Sequence, residues 1–412
     1  MESTMASVEA VFREHDVPTT RLQPHFGLAF EPRAIDLSAR GTALPPMLQQ
    51  ALEDAFYCFG LLVFREAELE PEDELEFCKR FSYDPAQDLV NDRNYGAQIV
   101  PGQPKLPEFP AIGLVGGAHV APPGHYGFVG ELDANDQPPG GMDRSWHCDG
   151  VIDEDPPPEC TAMRSVRVPR SGGGATLFAS SIRAAALALQ ESQTKVWRHL
   201  PPLTHAMCHY RPMPSLWDTL EVSPTGISLQ PMSDRTAAAL AAEPAAATKL
   251  QRMARDGFVV RSNREYLLPM LARATTNDGR HPVSAPTMIH QCRALYAISD
   301  VVTGQTLSFE ESQDYIEKAW RPGLTDPGNI VTHQWSDGDF VVWNNRIVIH
   351  SATSKGLWKR SEHDERLLHR IRMRAHPHTG RIAAWSSAVE SAGQGFGERL
   401  LAPEPGVSDA RL

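Results

Sequence analysis

Seven short runs after Trp146 constrain the fold more than any other feature of the chain. They read "ECTAMRSVRVP", "GATLFAS", "GISLQP", "RALYAIS", "DFVVWNN", "RIVIHS" and "LLHRIRMR". Each is apolar or alternating and is bounded by Gly, Pro, Asn, Asp or Ser, the pattern of strands in a sandwich or barrel. Two helical stretches precede them. "PPMLQQALEDAFYCFG" is amphipathic and closes on Gly60, and "EPEDELEFCKRF" opens with Pro71 and an acidic first turn, where the helix dipole favours negative charge. The strand "LLVFRE" lies between them. Further helices are expected at about 181–192 and, Ala-rich and broken by Pro244, around 234–256. Helices first and many short strands afterwards predict a mainly β fold with flanking helices.

Residues 95–142 are rich in Gly and Pro ("VPGQPKLPEFP", "GGAHVAPPGHYG", "NDQPPGGMD") and read as one long loop. A loop of that length in a compact domain points to function or mobility. The expected organisation is an N-terminal extension at 1–40 and a single domain at 41–378, with the 95–142 loop and an insert at about 210–280. A small polar tail follows at 379–412. The 412 residues, 41% hydrophobic and 22% charged, suit an ordinary globular protein. A formal charge of −12 argues against a nucleic-acid partner or an anionic membrane surface. Six cysteines without a C-x-x-C pair suit reduced thiols in the cytoplasm. The start "MESTMASVEAVFREHD" lacks the apolar core of a signal peptide, and no apolar run is long enough to span a membrane. The chain therefore reads as cytoplasmic, with a small-molecule partner; assembly into a homo-oligomer stays open.

Chemistry begins at "SWHCDG", which sets His147 and Asp149 two residues apart. Among sixteen histidines, about one such triplet arises by chance, so the triplet decides nothing alone. On a strand, side chains at i and i+2 share a face, and a third ligand must come from far along the chain. His350, in "GDFVVWNNRIVIHSAT", is the candidate. A histidine in so apolar a run is costly unless it is bonded or ligating, and both readings fit. Two histidines and one carboxylate on one face suit a non-haem Fe(II) oxygenase. Thr176 follows a glycine turn in "PRSGGGATLFAS". "ERLLHRIRMR" lays Arg366, Arg370, Arg372 and Arg374 at even spacing on one strand face. Such a row either faces solvent or faces inward to meet an anion. By alternation, Trp146 and Cys148 point away from the ligands and pack in the core. His205 and His209 have metal-like spacing but lack the Glu that a metalloprotease helix requires.

"WHCDG…PPPECTAMRSVRVPRSGGGATLFAS" and "GDFVVWNNRIVIHSAT…RLLHRIRM" resemble the two signature blocks of the taurine and aryloxyalkanoate dioxygenase family. "GLLVFREAELEPEDELEFCKRFS" and "FASSIRAAALALQESQTKVWRHLPPLTHA" are similar to further family segments, and together the pieces cover about half of the chain. The resemblance implies a double-stranded β-helix, or jelly roll, and an oxygenase that uses Fe(II), 2-oxoglutarate and O2. His147, Asp149 and His350 would then hold the iron. Thr176 and Arg366 would hold the distal carboxylate of 2-oxoglutarate, for which a planar guanidinium is suited. The implied reaction is oxidation of an unactivated C–H bond, by default hydroxylation, with release of succinate and CO2. Asp149 argues against halogenation, which needs the carboxylate replaced.

Arg370 matches a family position that meets an anionic substrate in some members. An anionic or amino-acid-like metabolite is thus one expected partner of Arg370, and Asp143 in the preceding loop is the internal one. The chain departs from the family at Cys148, at Asn344 in place of Asp in W-D-N-R, and in a longer "SKGLWKRSEH". That length leaves Arg360 as the alternative to Arg366. Peptide or protein hydroxylation, and a non-catalytic jelly-roll binding or sensor module, are the rival functions.

Overall fold

The computed structural model of the chain describes residues 2–38, 44–81, 103–132, 146–150, 157–170, 174–210, 220–223, 225–231, 264–273, 285–290, 295–353, 365–375, 383–392 and 397–400. The strands of the first half are β1 (Thr19–Gln23), β2 (Phe26–Phe30), β3 (Leu61–Phe64), β4 (Gly113–Gly117), β5 (His119–His125), β6 (Phe128–Glu131), β7 (Cys160–Arg167), β8 (Thr176–Ser180) and β9 (Ala206–Tyr210). The short β10 (Leu220–Val222), β11 (Leu229–Pro231), β12 (Arg264–Pro269), β13 (Ala272–Arg273) and β14 (Pro286–Thr287) come next. The later strands are β15 (Leu295–Asp300), β16 (Ile330–His333), β17 (Phe340–Asn344), β18 (Val348–Ala352), β19 (Arg366–Met373), β20 (Ala383–Ala384) and β21 (Gly397–Leu400). Helices are α1 (Glu2–Glu14), α2 (Pro46–Phe59), α3 (Pro71–Lys79), α4 (Ser181–Glu191), α5 (Phe309–Thr325) and α6 (Ser387–Ala392). The fold is mainly β with flanking helices, and no helix among the described residues is long and apolar enough to cross a membrane.

A seven-stranded sheet in the order β1-β2-β3-β17-β7-β19-β4 organises the molecule. Its two faces alternate with the two-residue period of a strand. Val341 and Trp343 of β17, with Val63, Met163 and Leu368, bury inward against Phe178, Val331 and Val348 of the small sheet β16-β8-β18. Phe340 and Val342, with Phe64, Leu367 and Ile371, bury outward against α1, α2 and α3. A strand covered on both faces reads as continuously apolar, which is how "DFVVWNN" looks in the sequence. A second core lies beyond the small sheet, where α4 and α5 meet β9 and β15.

The helices form where their local chemistry allows. Leu48, Leu52, Phe56 and Phe59 bury one face of α2, each contributing about 1.5–3 kcal/mol. The helix ends because Gly60 takes φ 73°, and its N–H bonds back to Phe56. A side chain there would also press on Val348, 3.0 Å from a Cβ. In α3, Pro71 opens the first turn and Glu70 and Asp73 form a capping box. Its buried Glu74 accepts from His369 (2.7 Å) and Arg164 (3.3 Å), which fastens the helix to β19 and β7.

Several stretches do more than their composition suggests. Residues 2–30, within the expected N-terminal extension, supply α1, the edge strand β1 and its neighbour β2, and Met5, Val8 and Phe12 bury one face of α1. The Gly/Pro-rich stretch contains β4, β5 and β6, and the insert region contains strands from β10 to β13. The tail contributes β20, α6 and β21. The Ala-rich stretch at 234–256 lies outside the described residues.

β4 is rich in glycine because it runs close to β19. Gly116 has φ 136°, and a Cβ there would lie 2.0 Å from the Arg366 carbonyl oxygen. Gly116→Ala is therefore expected to cost about 1–3 kcal/mol by forcing the two strands apart at Arg366. Gly130 has nearly the same φ, 134°, but nothing within 4 Å of a Cβ, so Gly130→Ala isolates the backbone component. Denaturant titrations of the two variants check this, and equal losses would contradict a steric role for Gly116.

Candidate metal centre

His147 and His350 meet as a one-pair antiparallel bridge, each N–H donating to the other's carbonyl at 3.0 Å. His350 sits in the middle of β18, its ring 4.9 Å from Trp343. His147 was expected on a strand with Asp149. The structure instead gives the single bridge and then a turn, with Gly150 at φ 66°. A side chain replaces the missing strand partner. Asn345 Oδ1 accepts from the Asp149 N–H (2.7 Å), and Asn345 Nδ2 donates to the carbonyls of Asp149 (2.8 Å) and Pro158 (3.0 Å).

The turn carries the Asp149 carboxylate back between the imidazoles. Oδ1 lies 3.9 Å from His147 Nε2, and Oδ2 lies 3.8 Å from His350 Nε2. One donor atom from each residue falls within 4.8 Å of the others. Among the described residues no other three His, Cys, Asp or Glu are so gathered. His209 is spoken for elsewhere, with Nδ1 on Glu265 (2.6 Å) and Nε2 on Ser299 (2.8 Å).

Asp149 is 2% exposed, and Thr161 Oγ1 donates to its Oδ2 (3.1 Å) while Arg370 Nη2 donates to its Oδ1. Burial alone would raise the carboxyl. Arg370, His350, Arg372 and His147 outweigh it and hold the group well below the usual carboxylate range. Burial pushes His350 down to about 4, against the pull of Asp149, so its imidazole is neutral at pH 7. Two imidazoles with one ionised carboxylate, gathered on one side, fit a divalent iron and leave positions open.

A second polar pair fits a carboxylate. Arg366 is 3% exposed and its guanidinium makes no hydrogen bond or ion pair among the described residues; burial lowers its pKa to about 10. Thr176 is buried and accepts from Trp335 Nε1 at 3.0 Å, while its own hydroxyl proton meets no acceptor among those residues. His333 lies opposite Thr176 across the β16–β8 pair, and the charge of Arg366 is among the influences that lower its pKa, after burial. Both donors are unspent among the described residues.

Arg366, Arg370 and Arg372 share the inward-facing positions of β19 with Leu368, while Leu367, Ile371 and Met373 face the helices. Of the row expected from the sequence, Arg366 and Arg372 are buried, Arg370 is partly exposed, and Arg374 lies beyond the end of β19. Among the described residues Arg370 meets the carboxylate of Asp149; Asp143 lies outside them, as does Arg360. Trp146 and Cys148 pack in the second core, and burial raises the Cys148 thiol to about 12. Asn344, at the position of the family's Asp, accepts from the Arg346 N–H (3.0 Å), a task that either residue type performs.

The sequence reading missed Asn345, Thr161 and Trp335. Asn345 stands in the quoted "VVWNNR", and a polar residue at the end of a wholly buried strand was the available signal. Thr161 and Trp335 carried none, because their partners lie 12 and 159 residues away.

Against models of known families, the chain matches the one described as Taurine catabolism dioxygenase TauD, TfdA family over residues 18–252 and 305–372. Among solved structures it is similar to a Burkholderia xenovorans protein assigned as an alpha-ketoglutarate-dependent taurine dioxygenase, at 16% identity and a TM-score of 0.54, with 94% of this chain and 99% of that chain covered. It is also similar to a taurine dioxygenase from the same organism, at 17% identity and a TM-score of 0.52, covering 92% and 99%. At these identities the likeness speaks for the fold. A sequence search of curated proteins finds no match.

Proposed function

The chain belongs to the taurine catabolism dioxygenase TauD, TfdA family, and on that premise we propose that His147, Asp149 and His350 hold iron for the oxidation of a small anionic or amino-acid-like metabolite. The protein is a dioxygenase that uses Fe(II), 2-oxoglutarate and O2. The observation that carries the site assignment is the gathering of the three donor atoms within 4.8 Å, and a buried arginine with no partner among the described residues supports the co-substrate assignment. The facing sheets around Phe178 support a double-stranded β-helix core.

Each residue has a physical task. Asp149 stays ionised under the influence of Arg370, and Asn345 and Thr161 fix its direction. His350 offers a neutral ring at neutral pH. Arg366 and Thr176 take the distal carboxylate of 2-oxoglutarate, which fixes the other end of the molecule toward the ligands. Bound iron, 2-oxoglutarate and O2 supply the oxidising power that breaks a substrate C–H bond, with hydroxylation as the outcome and succinate and CO2 as co-products. Trp343 and Phe178 beside His350 help keep bulk water away.

Arg370 is partly exposed beside Asp149, and an anionic group of the substrate meets it there. The test is succinate release over panels of carboxylates, sulfonates, amino acids and peptides. Arg370→Ala is expected to raise KM for anionic substrates at least tenfold (about 1.4 kcal/mol) relative to neutral analogues, and to uncouple succinate formation from substrate oxidation. An unchanged ratio and unchanged coupling would make Arg370 a partner of Asp149 only. Activity confined to peptides would replace the metabolite reading.

A further inference from the structure

We infer that Trp335 is a positioning residue for the co-substrate: its indole N–H fixes the Thr176 hydroxyl so that the hydroxyl proton is left for the distal carboxylate of 2-oxoglutarate. This rests on the placement of that carboxylate at Thr176 and Arg366 proposed above.

The direction of the bond is unambiguous. An indole N–H only donates, so at 3.0 Å from Trp335 Nε1 the Thr176 oxygen is the acceptor. A hydroxyl has one proton and two lone pairs. With one lone pair engaged, the rotor is confined and the proton must point away from the indole. No acceptor among the described residues takes that proton, although Thr176 is 4% exposed. An unmet donor in a buried site is costly, and a carboxylate beside Arg366 would meet it.

Trp335 is itself held firmly. Its ring packs edge-on against His333, with centroids 4.5 Å apart and planes at 88°. His333 Nε2 lies 3.3 Å from Asp339 Oδ2, the oxygen that also accepts from Arg65 (2.7 Å) and from the Ser336 N–H (3.0 Å). A line of contacts thus runs from Arg65, just beyond β3, through Asp339, His333 and Trp335 to Thr176. None of these contacts touches His147, Asp149 or His350. The device therefore governs affinity for the co-substrate's far end and leaves metal affinity alone.

The test uses the full chain loaded with Mn(II), without O2, titrated calorimetrically with 2-oxoglutarate and with 2-oxopentanoate, which lacks the distal carboxylate. Thr176→Val is expected to raise Kd for 2-oxoglutarate about tenfold, and Trp335→Phe about three- to tenfold. Trp335→benzothienylalanine, which puts sulfur in place of the N–H at nearly constant shape, is expected to match Trp335→Phe and guards against a packing effect. Adding Trp335→Phe to Thr176→Val is expected to change nothing further, because the tryptophan acts through the hydroxyl. Affinities for 2-oxopentanoate and Mn(II) are expected to stay within about twofold of the unaltered chain. Equal losses for both ligands, additive losses in the double variant, or no loss in the Trp335 variants would overturn the inference while Thr176→Val still weakens 2-oxoglutarate. If the unaltered chain binds the two ligands equally, the carboxylate placement itself fails and takes the inference with it.

Discussion

Asp149→Asn is expected to fold, to lose at least a hundredfold in metal affinity (about 2.7 kcal/mol), and to release no succinate above background. Asparagine keeps the size and shape of the side chain. The backbone clamp by Asn345 does not depend on the carboxylate, so the turn survives. What disappears is the charge, which is the only anionic donor of the three and the counter-ion that Arg370 contacts. Because Arg370 is partly exposed, the loss of that ion pair is expected to lower thermal stability less than the 3–5 kcal/mol of a wholly buried pair. Asp149 titrates below its ordinary range when folded, so its contribution to stability is fully present above that range and is lost as the pH falls from there through the lowered folded value. The variant is expected to lose this acid-side dependence. Anaerobic titration with Fe(II) or Mn(II) and thermal melts across pH check both halves, and full turnover would remove Asp149 from the ligand set.

Arg366→Met is expected to move function and stability in opposite directions. Loss of the guanidinium from a closed site removes the charge that meets a carboxylate, an effect of about 2–5 kcal/mol on 2-oxoglutarate affinity. The same residue is buried without a partner among the described residues, a state that is unfavourable until an anion arrives. An apolar side chain of similar length relieves it, so the melting temperature of the ligand-free protein is expected to rise. Calorimetry with 2-oxoglutarate and a melt of the ligand-free protein report the two directions separately. Arg360→Ala is the control. If that change is the damaging one, the arginine that serves 2-oxoglutarate has been misplaced by the length of "SKGLWKRSEH".

The residues that a sequence reading finds are those whose chemistry conflicts with their surroundings. His350 stands out in an apolar run, and four arginines at even spacing stand out on a strand; His350, Arg366 and Arg372 are buried and Arg370 is partly so. Gly60 and Pro71 mark helix ends through backbone geometry that depends on no distant contact. β4 was hidden because its glycines are explained by closeness to β19, some 250 residues later, and a composition rule reads glycine as loop. The amphipathic face of α1 was present in the sequence, yet what it covers became visible only with the sheet. Asn345 and Thr161 escaped for a related cause. Polar residues that serve a neighbour's backbone or carboxylate carry no pattern of their own.

The bridge between His147 and His350 joins positions 203 residues apart, and the sheet behind it is closed in the middle by β17 and β19 rather than at its edges. A nascent chain can therefore assemble α1, α2 and the first strands while the centre of the sheet is still missing. Such long-range pairing is slow, since the loop must be closed before any contact rewards it. Until β18 docks, His147 and Asp149 form only a two-point hold. Iron capture and co-substrate capture thus wait on two strands close together in the chain, β18 for His350 and β19 for Arg366. A chain that stops short of them offers no complete set of donors with which to engage iron and oxygen prematurely.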